Sequence, residues 1–252
     1  MNIVKNICKR IVGGDYVNDK GKYPFMASLW YLDGEEFRFK SGATYIGGRF
    51  FLTAAHCLKN RALERVLVRL GDTNLRRLPF TFRVVKAHVH PNFNHKNLKN
   101  DIAIIEVDKD VLVTPVRIPC YHLRESLYNY GSSVKVLGYG KDCETSSQNH
   151  LNDLKEVDLK IVPLEESKYH RSLVTGDMFL AINNVGGKMV DACTGNSGGP
   201  CLKLIMGNWV LVGIVSWGSG CGKKGLPGVY TRVFSYNGWI RNICKFGECK
   251  NH

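Results

Sequence analysis

The sequence predicts an all-β protein built from two β-barrels, with a single helix near the C-terminus. Short β-rich runs alternate with turn residues, and these runs fall into two successive sets of about six. The chain also contains 26 glycines, which is above average use and indicates many turns. Two sets of strands without long helices between them favour barrels over βαβ units.

The first set of runs predicts a barrel over about residues 25–118. Asp33-Gly34 and Gly47-Gly48 stand between runs as hairpin signals. The strands predicted in this set are Phe25–Tyr31, Ala43–Ile46, Phe50–Ala54, Val66–Leu70, Phe80–His88 and Ile102–Val107.

The second set predicts a barrel over about residues 130–234, followed by a helix over about 235–245. Ser235 is a suitable N-cap for this helix, and Trp239, Ile240 and Ile243 share one of its faces. No other segment is predicted to be helical. The strands predicted in this set are Ser133–Gly138, Glu156–Val162, Met178–Ala181, Pro200–Leu204, Trp209–Trp217 and Gly228–Val233.

The composition is that of a soluble globular protein. Hydrophobic residues make up 44% and charged residues 23% of 252 residues, which argues against disorder. No apolar run approaches the roughly 20 residues that a membrane helix needs, so no membrane span is predicted. Residues 1–10 are basic and lack an apolar core, so they are not a signal peptide. We expect a secreted protein whose signal peptide is absent from this chain.

The formal net charge is +13, which makes nucleic acid one partner to consider. No zinc-ligand spacing, RNA-binding signature or basic helix supports nucleic acid as a partner, so we do not expect one. Part of the charge is local, and we call its Lys and Arg residues the basic face. An ordinary solvated surface is somewhat favoured there over a site for an acidic protein or a sulfated polysaccharide. The basic face comprises Lys59, Arg61, Arg65, Arg69, Arg76, Arg77, Arg83 and Lys86, against Glu64 and Asp72.

Nine cysteines indicate an oxidising compartment, and no Cys-x-x-Cys pair indicates redox or metal chemistry. Because nine is odd, at least one thiol is unpaired within the chain. The cysteines are at positions 8, 57, 120, 143, 193, 201, 221, 244 and 249.

A cleavage site is predicted between Arg10 and Ile11, where a basic segment meets Ile-Val-Gly-Gly. A protease that cuts after arginine would release Ile11 as a new N-terminus. Cys8 precedes the cut, so a disulfide would keep residues 1–10 attached as an activation segment, with the remaining chain, 11–252, forming the main domain.

The segment 191–200 carries the strongest sign of chemistry. Glycines at 195, 198 and 199 surround Ser197, and such a loop can direct several N–H groups at one developing negative oxygen. A serine there is a candidate nucleophile only if a base lies near it. A glycine-rich turn with an incidental serine is the more common interpretation of such a loop taken alone.

Candidate partners for Ser197 occur earlier in the chain. His56 follows a β-rich run, and Asp101 stands where a polar loop meets an apolar strand. Each is ordinary when taken singly. A histidine base needs a carboxylate to fix its tautomer, and His-Asp-Ser is one known chain order of the catalytic triad.

At these motifs the chain resembles the trypsin-like, chymotrypsin-fold serine proteases, from about Ile11 to the C-terminal helix. The resemblance implies two six-stranded antiparallel barrels and peptide-bond hydrolysis through an acyl-enzyme, without cofactor or metal. The matching motifs are Arg10-Ile-Val-Gly-Gly, Thr-Ala-Ala-His56-Cys, Asn-Asp101-Ile-Ala, Gly195-Asn-Ser197-Gly-Gly-Pro, Ser216-Trp217-Gly218 and Pro227-Gly228-Val229-Tyr230.

The resemblance implies a role for each matching residue. Ser197 would be the nucleophile, His56 the general base and Asp101 the residue that orients it. The backbone N–H groups of Gly195 and Ser197 would form the oxyanion hole, and Ser216 would hydrogen-bond Asp101.

The same resemblance places Asp191 at the base of a specificity pocket, where it would pair with a substrate Arg or Lys. Gly218 and Gly228 would be pocket walls without side chains. Trp217 and Leu98 would line the neighbouring apolar subsites.

The residue before the nucleophile departs from the family pattern. The family almost always has aspartate there, which pairs with the ammonium of the new N-terminus. This chain has Asn196, whose amide accepts a hydrogen bond but cannot neutralise the charge on Ile11. We therefore expect a bias toward a zymogen-like state even after cleavage at Arg10.

The resemblance also implies disulfides Cys8–Cys120 and Cys193–Cys221. The usual partner of Cys57 is replaced by Ser41, so we expect Cys57 to be unpaired. The pairing of Cys143, Cys201, Cys244 and Cys249 stays open.

Two functions from different classes are therefore considered. The first is a secreted serine endopeptidase zymogen that cleaves after Arg or Lys once another protease has activated it. The second is a catalytically silent homologue that binds partners through the basic face. The triad residues and Asp191 favour the enzyme, whereas Asn196 favours the silent homologue.

Overall fold

The computed structural model describes residues 14–139, 152–191, 196–219 and 222–246. Within these ranges the backbone forms fourteen strands and two α-helices, α1 (Ala55–Leu58) and α2 (Asn237–Cys244). The strands are β1 (Asp15–Tyr16), β2 (Met26–Asp33), β3 (Glu36–Gly47), β4 (Phe50–Thr53), β5 (Val66–Leu70), β6 (Phe80–Val89), β7 (Ala103–Val107), β8 (Ser133–Tyr139), β9 (Leu154–Val162), β10 (Met178–Val185), β11 (Lys188–Val190), β12 (Pro200–Ile205), β13 (Asn208–Trp217) and β14 (Gly228–Arg232).

Strands β2 to β7 close into the first barrel, in the order β2-β3-β4-β7-β6-β5 with antiparallel neighbours. Strand β5 shows why the sequence favours this arrangement. Its residues 66, 68 and 70 are buried, whereas residues 67 and 69 are partly exposed. A period of two directs alternate side chains into the barrel interior.

Strands β8, β9, β10, β14, β13 and β12 close the second barrel, because β9 pairs with both β8 and β10. The rings of Phe179 and Tyr230 stack inside it with centroids 5.2 Å apart. A Cβ atom at Gly213 would lie 2.7 Å from the Phe179 ring, so glycine makes room for this stack. The predicted fold of two six-stranded antiparallel barrels and a C-terminal helix is confirmed.

The prediction for the C-terminal helix was wrong at its start. Helix α2 begins at Asn237 with Tyr236 at the N-cap, and Ser235 lies one residue earlier in a 3-10 turn, Val233–Tyr236. The Tyr236 hydroxyl lies 3.0 Å from Asn100 Oδ1, ahead of β7, and 2.9 Å from Asp177 Oδ2, ahead of β10, so this turn is anchored to both barrels. Tertiary contacts therefore set the helix start, and no side chain caps it.

The prediction of a single helix was also wrong, because α1 forms one turn directly after β4. Four residues are too few to show helical periodicity in the sequence. Its N-cap, Ala54, supplies no side-chain hydrogen bond. A distant carboxylate takes over that role in the candidate active site.

Backbone hydrogen bonds join the two barrels away from the candidate active site. The Leu75 N–H donates to the Asn152 carbonyl at 3.0 Å, and the Leu154 N–H donates to the Thr73 carbonyl at 2.6 Å. Residues 73–75 follow the first barrel's β5, and Leu154 begins β9 of the second. These hydrogen bonds fix the two barrels relative to each other. They therefore also fix the relative positions of the site residues that each barrel contributes.

Candidate active site

His56 lies in α1, just after the first barrel's strand β4. Its backbone N–H donates to Asp101 Oδ1 at 2.9 Å, and its Nδ1 lies 2.7 Å from Asp101 Oδ2. The first N–H groups of a helix lack internal partners, so the Asp101 carboxylate satisfies one of them from a distance. One carboxylate therefore fixes both the turn that carries His56 and the orientation of its ring.

Asp101 is fully buried, two residues before β7. Besides the two contacts from His56, its Oδ2 accepts the Ser216 hydroxyl at 2.5 Å, and its carbonyl accepts the Thr231 hydroxyl at 2.9 Å. Ser216 and Thr231 belong to β13 and β14 of the second barrel. Several donors compensate the cost of burying this charge, and they come from both barrels.

The environment of His56 changes its affinity for protons. Burial by itself lowers the pKa of the imidazole, but Cys57 and Asp101 beside the ring outweigh burial and raise it to about 11. The Cys57 Sγ atom lies 3.6 Å from His56 Nε2, the ring nitrogen that does not face Asp101. The sequence alone gave no sign of this contact.

Ser197 lies in the turn that leads into β12. Its carbonyl accepts the Gly42 N–H at 2.9 Å, and the next N–H, from Gly198, donates to the Val215 carbonyl at 2.8 Å. A Cβ atom at Gly198 would lie 2.2 Å from Thr53 Oγ1, so the turn packs against the end of β4, three residues before His56. Within the described residues, no hydrogen bond joins the Ser197 hydroxyl to His56.

Asn196 is 1% exposed, and neither its amide nitrogen nor its amide oxygen has a hydrogen-bond partner among the described residues. A Cβ atom at Gly138 would lie 1.9 Å from Asn196 Oδ1, so this side chain occupies the space above β8. A buried polar group without a partner costs about 1–3 kcal/mol. Ile11, the predicted partner, lies outside the described residues.

Asp191 is fully buried and directly follows β11. A Cβ atom at Gly228 would lie 2.7 Å from Asp191 Oδ1 and 2.9 Å from the Tyr230 hydroxyl. Glycine at position 228 therefore allows the Asp191 carboxylate and the Tyr230 hydroxyl to pack directly against the backbone. Burial raises the pKa of the Tyr169 hydroxyl, and the Asp191 charge adds to that rise, which places Tyr169 in the same environment.

The remaining predicted site residues lie nearer the surface. Trp217 ends β13 partly buried, with its ring centroid 5.0 Å from that of Tyr169, and Gly218 beyond it is exposed. Leu98 is partly buried in a turn where its φ is +56°. Tyr169 also accepts the Ser219 N–H and donates to the Pro227 carbonyl, both at 3.0 Å, a link that the sequence did not indicate.

Several predicted features fall outside the described residues. The cleavage site and one oxyanion-hole donor are among them, as are five of the nine cysteines. The residues concerned are Arg10, Ile11, Gly195, Cys8, Cys143, Cys193, Cys221 and Cys249.

The family model called Trypsin matches residues 11–240, which include the His56, Asp101 and Ser197 motifs. The chain belongs to the trypsin family of serine proteases. Its predicted membership of this family is therefore confirmed.

This trypsin-family chain has relatives among characterised proteases. It is 35% identical to Trypsin-3 of Salmo salar, over 92% of this chain and 91% of that protein. It is 34% identical to the CLIP domain-containing serine protease B10 of Anopheles gambiae, over 93% of this chain and 70% of that protein. It is 32% identical to Vitamin K-dependent protein C of Rattus norvegicus, over 92% of this chain but only about half, 51%, of that protein.

The cysteines described in this trypsin-family chain include three free thiols. Cys57, Cys201 and Cys244 are free and buried. The expectation that Cys57 is unpaired is therefore confirmed, and Cys201 and Cys244, whose pairing the sequence left open, are unpaired as well. Cys120 is in a disulfide whose second cysteine lies outside the described residues.

No helix in the described ranges is long and apolar enough to cross a membrane. The same ranges contain no group of three or more His, Cys, Asp or Glu side chains arranged to hold a metal ion.

Proposed function

We propose that this chain is a secreted serine endopeptidase, made as a zymogen, that hydrolyses peptide bonds after Arg or Lys. The observation that carries the proposal is the placement of His56 and Asp101. The carboxylate contacts both the backbone and the ring of His56, and the turn holding Ser197 packs against the strand that leads to His56. Membership of the trypsin family supports the same chemistry.

In the proposed mechanism Ser197 Oγ attacks the carbonyl carbon of the substrate while His56 Nε2 takes its proton. Asp101 stabilises the imidazolium that results, because its carboxylate contacts the His56 ring and is itself held by the Ser216 hydroxyl. The N–H groups of Gly195 and Ser197 hold the oxyanion, each worth about 3–4 kcal/mol of barrier. His56 then protonates the leaving amine, and water repeats the sequence on the acyl-enzyme.

Specificity for Arg or Lys is proposed from Asp191 and Gly228. The carboxylate of Asp191 is fully buried and carries the charge opposite to that of a substrate Arg or Lys. Gly228 keeps the space beside that carboxylate free of a side chain. A long basic side chain of the substrate fits both features.

Activation is proposed to occur by cleavage between Arg10 and Ile11, carried out by another protease. The motif Arg10-Ile-Val-Gly-Gly supports this step, and the family match begins at residue 11. Nine cysteines, including the disulfide-bonded Cys120, support secretion into an oxidising compartment.

The test is active-site titration of the chain after complete cleavage at Arg10, with an ester that acylates serine. We expect stoichiometric labelling of Ser197, no labelling of Ser197→Ala, and faster hydrolysis of Arg and Lys esters than of Leu esters. Faster hydrolysis of the Leu esters would refute the proposed specificity, and an unlabelled, fully cleaved chain would refute the protease.

The second candidate is a silent homologue that acts by binding, and Asn196 is the observation that favours it. A buried amide that has no hydrogen-bond partner among the described residues stands where a carboxylate is expected beside the nucleophile. If the cleaved chain is not acylated under any condition, this candidate replaces the first.

The basic face is proposed as its binding surface for an acidic protein or a sulfated polysaccharide. Seven of its eight residues are exposed, and only Arg69 is partly buried. We expect Arg76→Glu with Lys86→Glu to elute from a sulfated-polysaccharide column at lower salt than the parent chain. Exposed Lys223→Glu with Lys224→Glu is the matched control, because it changes the net charge by the same amount. Equal elution of the two double variants would show that the basic face is an ordinary solvated surface.

A further inference from the structure

A free thiol lies against the proposed catalytic base. The Cys57 Sγ atom is 3.6 Å from His56 Nε2, within hydrogen-bonding reach for sulfur, and Cys57 is buried. A thiol is a weak donor and its thiolate is an acceptor. In the proposed mechanism this same ring nitrogen must take the proton from Ser197.

The backbone of Cys57 is held by a tyrosine. The Tyr31 hydroxyl donates to the Cys57 carbonyl at 2.6 Å and lies 3.1 Å from the Ser41 hydroxyl. Ser41 stands where the family pattern would supply a second cysteine, and it is buried within this network. The sulfur of Cys57 therefore has no bridge partner, and it faces the imidazole.

The imidazole is held on both nitrogens. Asp101 contacts Nδ1 at 2.7 Å, Cys57 contacts Nε2, and these two are the titratable groups that contact the ring in the described part of the chain. The Ser197 hydroxyl makes no hydrogen bond within that part. Cys57 thus occupies the side of the ring on which the nucleophile must act.

The protonation of His56 supports an inhibitory effect. Burial of the ring lowers its pKa, but Cys57 and Asp101 beside it outweigh burial and raise the pKa above its usual value. An imidazole that already carries a proton cannot serve as a general base.

We propose that Cys57 is a positioning residue that holds the His56 imidazole through Nε2 and so restrains it from taking the Ser197 proton. The proposal rests on the function proposed above, in which Ser197 is the nucleophile and His56 its base. It adds a second restraint on activity, distinct from the one at Asn196.

The kinetic test compares Cys57→Ala and Cys57→Ser with the parent chain, each cleaved at Arg10, on an Arg ester. Removing the thiol takes away the group that favours the imidazolium, so the acid limb of kcat against pH moves to lower pH. At pH 7 we expect kcat to rise about tenfold or more with KM unchanged. Cys244→Ala, which removes another buried free thiol, should leave the profile unchanged.

The second readout is the NMR titration of the His56 ring proton, assigned by its loss in His56→Gln. We expect its midpoint to fall to lower pH in both Cys57 variants. Cys57→Ser keeps a donor of similar shape, so it remains informative if Cys57→Ala does not fold. An unchanged midpoint in Cys57→Ser would overturn the proposal.

The two readouts separate this proposal from the function on which it rests. If the NMR midpoint moves but no variant hydrolyses the ester or is acylated, the protease function fails and the contact on His56 stands. If all variants are active with identical pH profiles and midpoints, the function stands and the role of Cys57 fails.

Discussion

Asp101 shows how much of the candidate site depends on a single side chain. Its carboxylate accepts the His56 backbone, the His56 ring and the Ser216 hydroxyl, while its carbonyl accepts Thr231. These donors come from α1, β13 and β14, so one residue connects both barrels at the site. Several donors are needed to offset the cost of burying a carboxylate, and here both barrels supply them.

Asp191 gives a prediction about specificity. Asp191→Asn removes the charge at nearly constant size, and a substrate guanidinium would then be buried without a counter-charge. We expect kcat/KM on an Arg ester to fall at least about a hundredfold, and kcat/KM on a Leu ester to change little. Steady-state kinetics on both esters checks this, and equal losses on the two would point to misfolding of the pocket instead.

Asn196→Asp is expected to lower the stability of the uncleaved chain and to raise the activity of the cleaved chain. In the uncleaved chain, Asn196→Asp places a charge at a buried position, so the melting temperature should fall. After cleavage the new carboxylate can pair with the Ile11 ammonium, and kcat/KM should rise roughly a hundredfold.

Exposed Asn129→Asp is the control for Asn196→Asp, since it adds the same charge on the surface. Calorimetry of the uncleaved chains and ester kinetics of the cleaved chains give the two measurements. Equal rates for cleaved parent and cleaved Asn196→Asp would show that the amide does not limit activity.

At the scale of elements, strand β3 of the first barrel directly supports the turn that carries Ser197. The Gly42 N–H donates to the Ser197 carbonyl at 2.9 Å. A Cβ atom at Gly42 would lie 2.7 Å from Gly199 Cα and 2.9 Å from its nitrogen. These are backbone atoms, so they cannot move aside as a flexible side chain would.

Gly42→Ala should therefore displace the serine turn. We expect a loss of stability of about 1–3 kcal/mol and a larger proportional loss of kcat, because the nucleophile shifts relative to His56. Gly176→Ala is the matched control, since a Cβ atom there would have no heavy atom within 4 Å. Urea unfolding and ester hydrolysis measure the two effects, and a Gly42→Ala chain with parental kcat would contradict the argument.

At the scale of the whole molecule, Asp72 lies where the two barrels meet: its backbone carbonyl contacts the second barrel, and its carboxylate is stabilised by neighbours in the N-terminal half. Burial alone would raise the pKa of Asp72, but its hydrogen bonds with Lys20 and the Asn74 N–H, together with the Arg77 charge, lower it overall. Lys20 Nζ lies 2.6 Å from the carboxylate, and the Tyr139 hydroxyl of the second barrel donates to the Asp72 carbonyl at 2.8 Å.

The lowered pKa predicts acid sensitivity. A carboxylate whose folded pKa lies below its unfolded value, about 4, stabilises the fold above that pH and loses this effect as the pH falls through the folded value. We expect the free energy of unfolding to decrease from about pH 4 downward, and to decrease less steeply in Asp72→Asn. Urea titrations at several pH values test this, and parallel curves for both chains would contradict it.

The sequence by itself determined the fold class and most of the strands. Strand β5 was predicted with its observed bounds because its short run of valine and leucine residues is typical of a strand, and the structure shows every second side chain buried. Hairpin glycines and short β-rich runs are local features of the sequence, and they predict where each strand of a barrel begins and ends. The family motifs also predicted roles for His56, Asp101, Ser216 and Asp191; the structure shows where these residues lie, and their roles stay predictions.

Only the tertiary structure decided the contacts that these residues make. Helix α1 escaped prediction because its capping carboxylate comes from Asp101, and α2 begins later than predicted because Tyr236 is anchored outside the helix. The thiol of Cys57 beside His56 was likewise visible only in three dimensions. The same holds for the buried amide of Asn196, which has no hydrogen-bond partner in the part of the chain that the structure describes. Residues far apart in the chain meet where two barrels pack, and local sequence carries no record of that packing.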